Sequence, residues 1–113
     1  MATKVQQRDR PMSAERWHDL QRLFKVLANE TRLRMLHELE TAGELCVGDL
    51  ADAIGMAPQA VSNQLQRLVD GRIVEARREG NYVYYRIVDP CVPGLLELGT
   101  CLINETAAGT PRR

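Results

Sequence analysis

The feature that most constrains this chain is a change in hydrophobic period at Gly71. Before Gly71, apolar residues recur every three or four positions, which is the spacing of helices that bury one face. After Gly71, polar and apolar residues alternate over 73–77 and again over 82–88, and Glu79-Gly80-Asn81 separates the two runs. Two alternating runs around a short turn predict a β-hairpin. The sequence therefore predicts a mainly α protein that carries one hairpin.

Start and stop signals divide the helical part into short segments. Residues typical of helix ends stand at each boundary: Ser13, Asn29, Gly43, Gly55, Pro58, Gly71 and the pair Asp89-Pro90. The segment 44–47 is predicted to be a short strand that pairs with the second hairpin strand. The predicted order is helix, helix, short strand, helix, helix, hairpin, helix.

Two short helices joined by 55–57 and followed directly by a hairpin describe a winged helix-turn-helix fold. The second of these helices has an outward face of hydrogen-bonding side chains. Glutamine and asparagine can pair with adenine and arginine with guanine, so this face is a candidate reader of the DNA major groove. A merely solvated polar face is the alternative. The residues of the candidate face are Gln59, Ser62, Asn63, Gln66 and Arg67.

The hairpin favours the DNA-binding interpretation because it adds positive charge. Residues 57–88 contain five arginines and three acidic residues, a net charge of +2 in a chain whose net charge is zero. Arg77 and Arg78 lie near the predicted hairpin tip, where a wing contacts the DNA backbone, and Tyr82 is a further wing candidate. The neutral whole chain argues against a protein that coats nucleic acid indiscriminately.

The length of 113 residues predicts a single domain. We expect a disordered arm over 1–12, the winged domain over 13–106 and a frayed tail over 107–113. A chain this short buries a modest core, so a homodimer is expected to add buried area. Without an apolar run of about 20 residues or a secretory signal, the protein is expected to be cytoplasmic, with no membrane partner and with reduced thiols.

From Leu23 to about Glu105 the chain resembles the ArsR/SmtB family of metal-sensing repressors. The stretches that carry the resemblance are LFKVLANETRLRMLHEL, ELCVGDLADAIGM and PQAVSNQLQRLVDGRIVEARREGNYVYYRI. The resemblance implies a two-fold dimer built from the first and last helices, an imperfectly palindromic double-stranded operator, and repression that an inducer relieves. The apolar residues that would form the dimer interface are Trp17, Leu20, Leu95, Leu96, Leu102 and Ile103.

The resemblance also singles out the three cysteines. The family's metal box often contains ELCVCDL, whereas this chain has ELCVGDL, which retains Cys46 and has Gly48 in place of the second thiol. The family's other site uses Asp and His near the start of the last helix and His and Glu near its end. At similar spacing this chain has Asp89, Cys91, Cys101 and Glu105. Cysteines in place of histidines favour a thiophilic ion.

Helix geometry limits how these thiols can share an ion. Cys91 and Cys101 would lie about 15 Å apart along one helix, whereas two sulfurs on one ion are at most ~4.6 Å apart. The preferred site therefore combines Cys46 and Cys91 of one subunit with Cys101 of its partner, twice per dimer. The ions favoured for such a site are mercury(II) and arsenic(III). Mercury(II) is included because the last-helix cysteines resemble those of mercury-responsive relatives. Cadmium or lead could add a carboxylate oxygen.

Several alternatives stay open from the sequence. The cysteines could be small buried hydrophobic residues, or they could form a thiol redox or persulfide sensor. A winged module that binds another protein is a different class of function. An enzyme is not expected, because no catalytic spacing or phosphate-binding loop stands out. His18 and His37 are expected to be surface or structural residues rather than ligands.

Overall fold

The computed structural model describes residues 11–107, which form five helices and three strands. In chain order they are α1 (Ala14–Leu27), α2 (Glu30–Ala42), β1 (Leu45–Cys46), α3 (Val47–Ile54), α4 (Pro58–Asp70), β2 (Val74–Glu79), β3 (Tyr82–Ile87) and α5 (Cys91–Ala107). This order is the predicted one. The predicted arm and tail fall largely on 1–10 and 108–113, outside the described residues, while 11 and 12 are exposed and in neither helix nor strand.

Helix starts follow the predicted caps. The side chains of Ser13 and Asn29 accept hydrogen bonds from backbone N–H groups three residues later, at 3.2 and 3.0 Å. Asp89 accepts from the backbone N–H of Cys91 at 2.8 Å. Each cap supplies an acceptor to an N–H group that has no partner within its own helix. These local signals fix where α1, α2 and α5 begin.

The core lies where α2, α3 and α4 meet the base of the hairpin. Its most deeply buried side chains are Met35, Leu36, Leu39, Leu50, Val61, Leu65, Leu68 and Val74. All but Val74, which begins β2, lie on these three helices, and the three helices and the strand pack into one apolar cluster. The helix-turn-helix and the wing are therefore built on a common rigid base.

The sheet is antiparallel with strand order β1-β3-β2. The predicted pairing of the Cys46 segment with the second hairpin strand is confirmed, in a register that places Cys46 opposite Tyr84. β2 begins one residue later and ends two residues later than the sequence pattern predicted. At the hairpin tip Gly80 has φ +63°, a left-handed conformation that suits glycine.

The described chain is more extended than a compact domain of its size. Its radius of gyration is 16.1 Å, against about 13 Å for a compact domain of 100 residues. α1 and the second half of α5 project from the core, and Trp17, Leu98 and Ile103 are 57%, 70% and 66% exposed. Large apolar side chains at such exposure indicate a surface that another chain covers. Among the described residues, no helix has the length and apolar character to cross a membrane.

Candidate DNA interface and cysteine sites

The turn between α3 and α4 has the geometry of a helix-turn-helix. Gly55 ends α3 at φ +72°, and its N–H donates to the carbonyl of Ala51. Ala57 precedes α4 in an extended conformation, and Pro58 takes the first helical position, where no N–H is needed. The predicted helix-turn-helix is confirmed in these residues.

α4 buries one face and presents the other to solvent. Val61, Leu65 and Leu68 are buried in the core, so the opposite face points away from it. Gln59 donates to Asn63 at 3.1 Å, and both amide side chains are of the kind that pairs with adenine in the major groove. Of the five side chains predicted to read DNA, four are exposed and one, Ser62, is half-buried; the exposed four are Gln59, Asn63, Gln66 and Arg67.

The arginines of the wing differ in whether carboxylates already bind them, and therefore in how available they are to a DNA phosphate. Arg77 donates to Glu44 at 2.5 Å and to Glu79 at 2.7 Å, and its guanidinium lies 5.0 Å from the ring centroid of Tyr84. The hydrogen bond to Glu44, followed by that to Glu79, raises the pKa of Arg77 further above its ordinary value. Arg77 is therefore held between two carboxylates, and sequence reasoning missed Glu44 because it is 33 positions away.

Of the other two arginines of the hairpin, one forms an ion pair and one does not. Arg86 pairs with Glu75 across the two strands at 2.5 Å. Arg78 makes no ion pair with another residue of 11–107 and is exposed, as is Tyr82. The wing thus offers Arg78 more readily than Arg77 to a DNA phosphate.

The three cysteines are reduced and accessible to different degrees. Cys46 is half-buried, and its thiol donates to Asp49 at 3.3 Å. Cys91 and Cys101 are exposed on α5, and the Cys101 thiol donates to Glu105 at 3.5 Å. Within the described part of a single chain, no three His, Cys, Asp or Glu residues form a group that could hold a metal ion. The interpretation of all three as buried hydrophobic residues therefore does not hold within a single chain.

The strand register bears on whether Cys46 and Cys91 are neighbours. Cys46 lies opposite Tyr84, and Leu45 lies opposite Tyr85, so β3 runs past β1 toward α2 before the chain reaches Cys91. The three positions from Tyr84 to Ile87 alone cover about 10 Å. The register alone does not set the distance from Cys46 to Cys91, since 88–90 turn between β3 and α5, so the proximity of the two cysteines within one chain stays a prediction.

α5 carries Cys91 and Cys101 on one continuous helix. Ten positions of helix separate their Cα atoms by about 15 Å, which is too far for both thiolates of one chain to bind the same ion. A shared ion would therefore need a second α5.

Beside α5 lies an apolar groove of about 1400 Å³ that α1, α2 and α5 enclose. Phe24 and Leu33 line it from one side and Leu95, Leu98 and Leu102 from the other. Of the predicted dimer residues, Leu95 and Leu96 are half-buried, while Trp17, Leu20, Leu102 and Ile103 are exposed. His37 also lines this groove.

Comparison with known proteins places this architecture in a family. The family model "Bacterial regulatory protein, arsR family" matches residues 29–76, which span α2 through α4 and the start of β2. The CadC homolog of Staphylococcus aureus, a cadmium resistance transcriptional regulatory protein, is 33% identical over 105 residues, which cover 93% of this chain and 87% of that protein.

Solved structures agree with this match. The AntR antimony-specific transcriptional repressor is 59% identical, with a TM-score of 0.78 over 88% of this chain and 91% of that one. The homodimeric winged helix-turn-helix DNA-binding domain of Mb0332 from Mycobacterium bovis is 37% identical, with a TM-score of 0.77 over 88% and 92% of the two chains. The chain belongs to the ArsR/SmtB family of winged helix-turn-helix, metal-sensing transcriptional repressors.

Proposed function

We propose that two copies of this chain form a repressor that binds operator DNA through α4 and the wing. The dimer releases the DNA when a thiophilic ion binds thiolates on α5. The observation that carries the proposal is the placement of Cys91 and Cys101 on an exposed helix that also forms one wall of an apolar groove. An ion bound there would act on the dimer rather than on the DNA-reading face.

The proposed DNA contacts combine base reading and phosphate binding. Asn63 and Arg67 on the exposed face of α4 can reach base edges in a major groove, and Arg78 can bind a phosphate at the wing. A dimer reads two half-sites with paired α4 helices, so the proposed operator is an imperfect palindrome. Selection of duplexes from a randomised DNA library by the purified protein tests this part. Enrichment of two related half-sites is expected, and no enrichment would refute it.

Substitution of Arg78 tests the wing contact. We expect Arg78→Ala to weaken binding to every DNA sequence by a similar factor and to lower the slope of log affinity against log salt by about 2, because the dimer loses one phosphate contact on each wing. Arg86→Ala removes the same charge from a residue already paired with Glu75, so it serves as the control. Fluorescence anisotropy across a salt series provides the measurement. Equal slopes for the two variants would contradict the assignment.

The dimer is proposed to form through α1 and α5. Trp17 and Phe24 of α1 and Leu98 and Ile103 of α5 expose apolar surface on helices that project from the core. In addition, a second copy is the occupant that fits a groove walled by these helices, because a two-fold contact is self-complementary. The homodimeric relative from Mycobacterium bovis supports this assembly.

A trivalent metalloid, antimony(III) or arsenic(III), is the inducer that we favour. Both are thiophilic and bind three thiolates without needing a fourth ligand, and the 59% identical relative is described as antimony-specific. The CadC homolog is named for cadmium resistance, and a carboxylate such as Glu105 beside Cys101 could complete a cadmium site. These relatives lend no support to mercury(II), which the cysteine pattern had favoured together with arsenic(III).

In the proposed site, Cys91 of one subunit and Cys101 of the other share one ion between antiparallel α5 helices. Two such sites form per dimer by symmetry. Cys46, which lies opposite Tyr84 in the sheet, is the third candidate thiolate. Its position at the start of α3 leaves it half-buried, so a partner subunit could still reach it.

The Cys46→Ser variant decides whether a third thiolate joins the site. If Cys46 is a ligand, the variant binds DNA normally but requires at least about tenfold more antimony(III) for release, because one of three sulfur bonds is lost. If release is unchanged, the site consists of the α5 thiolates and non-thiol ligands. Asp49→Asn, which alters the hydrogen-bond partner of Cys46 and no thiol, is the matched control.

A further inference from the structure

A hydrogen-bonded junction centred on Arg32 connects three helices. The guanidinium Nε of Arg32 donates to Oε1 of Gln64 on α4 at 2.8 Å, and a terminal nitrogen donates to the backbone carbonyl of Val26 on α1 at 3.0 Å. Arg32 itself lies in the first turn of α2. We call Arg32, Val26 and Gln64 the Arg32 junction. It connects the end of α1 to the middle of α4.

The hydrogen bonds of the Arg32 junction hold the three helices in a defined relative position. The carbonyl of Val26 is among the last four of α1, which have no partner within the helix, and a cation there also complements the helix dipole. Arg32 and Gln64 are half-buried, so water screens their bond less than an exposed one. The planar guanidinium fixes the directions of both bonds at once.

A second contact joins α4 to the same residue of α1. A Cβ atom added to Gly71, at the end of α4, would lie 3.3 Å from Cγ2 of Val26, so the backbone of α4 packs closely on α1 there. Gly71 lies seven positions beyond Gln64, about 10 Å along the helix. Both contacts meet α1 at Val26 but lie this far apart along α4, so together they limit how far α4 can shift relative to the end of α1.

This arrangement gives Arg32 a role in DNA recognition at a distance. We infer that Arg32 is a positioning residue that transmits the geometry of the dimer helix α1 to α4 and thereby sets the half-site separation that the dimer prefers. The inference rests on the proposed function, since it needs a dimer joined through α1 and two α4 helices on one duplex. Arg32 and Gln64 need not contact DNA for this role.

The experiment compares binding of the full-length protein to a family of related duplexes. The probes are a palindromic duplex enriched by the wild-type protein from a randomised library, copies with one base pair inserted or deleted between the halves, and a copy with one half scrambled. Gln64→Leu and Arg32→Met each break the junction, whereas Gln64→Glu keeps an acceptor for Arg32. Thermal unfolding and sedimentation establish that each variant folds and dimerises.

We expect Gln64→Leu to reduce the preference for the selected spacing by about tenfold, the effect of losing one charge-assisted hydrogen bond in each subunit. Arg32→Met, which also loses the bond to Val26, should reduce it by at least as much. Their affinity for the single half-site should stay at the wild-type value, and Gln64→Glu should retain the preference. A wild-type spacing preference in Gln64→Leu, or an equal loss of affinity for the single half-site, would overturn the inference. If Arg32→Met does not fold, the result for Gln64→Leu is sufficient by itself. Failure of the wild-type protein to enrich any duplex would instead refute the proposed function, and this inference with it.

Discussion

Replacing either α5 cysteine should leave a repressor that binds DNA but cannot be induced. Cys91→Ser and Cys101→Ser keep side chains of similar size at exposed positions remote from Asn63 and Arg67, so operator affinity is expected to stay within about twofold of wild type, as surface substitutions change little. Each variant removes one thiolate from both symmetric sites. Release by antimony(III) or arsenic(III) should therefore be lost, as anisotropy of a labelled operator duplex would report.

The control for this experiment is Thr100→Ser, a substitution on the same helix that removes a methyl group and retains the hydroxyl that bonds to Leu96. It should be induced normally. Normal induction in Cys91→Ser or Cys101→Ser would exclude the α5 thiolates as the sensor. Release of wild-type protein by a mild oxidant in the absence of any ion, lost in the same two variants, would favour the redox alternative.

The second large effect is expected at the dimer interface. Ile103 is 66% exposed in one chain, so a charge there costs the isolated subunit little. In a dimer joined through α5, Ile103→Glu would bury an unpaired carboxylate and should raise the dimer dissociation constant by about 100-fold or more. Operator binding should fall with it, because a single α4 reads one half-site. Sedimentation across a concentration series measures the constant.

Ala53→Glu is the control for Ile103→Glu. Ala53 is exposed on α3 and does not line the groove between α1, α2 and α5. The added charge is the same, but α1 and α5 are untouched and the dimer should persist. A tight dimer in Ile103→Glu would show that α5 does not form the interface.

Local signals in the sequence predicted most of the fold. Ser13, Asn29 and Asp89 cap their helices as predicted, since a cap depends on residues only two or three positions away. The turn at Gly55 and the hairpin around Gly80 are predictable in the same way, because both need a backbone conformation that suits glycine. Alternating polarity likewise located the hairpin.

Contacts between distant parts of the chain were not predictable in the same way. The sequence suggested that β1 pairs with β3 but not that Cys46 faces Tyr84, since register depends on how the helices on both sides pack. The pair of Arg77 with Glu44 joins residues 33 positions apart. Consequently the sequence predicts that Arg77 binds phosphate, whereas the structure pairs it with two carboxylates. The Arg32 junction likewise leaves no signal in any local pattern.

The most direct test of the account is a release titration under anaerobic, reducing conditions. The wild-type protein is bound to a labelled duplex that it has enriched from a randomised library, and antimony(III), arsenic(III), cadmium(II) and mercury(II) are added separately. We expect antimony(III) or arsenic(III) to release the DNA with an end point of two ions per dimer, and by linkage we expect the DNA to weaken ion binding by the same factor. Stable DNA binding at saturating concentrations of all four ions would contradict this expectation.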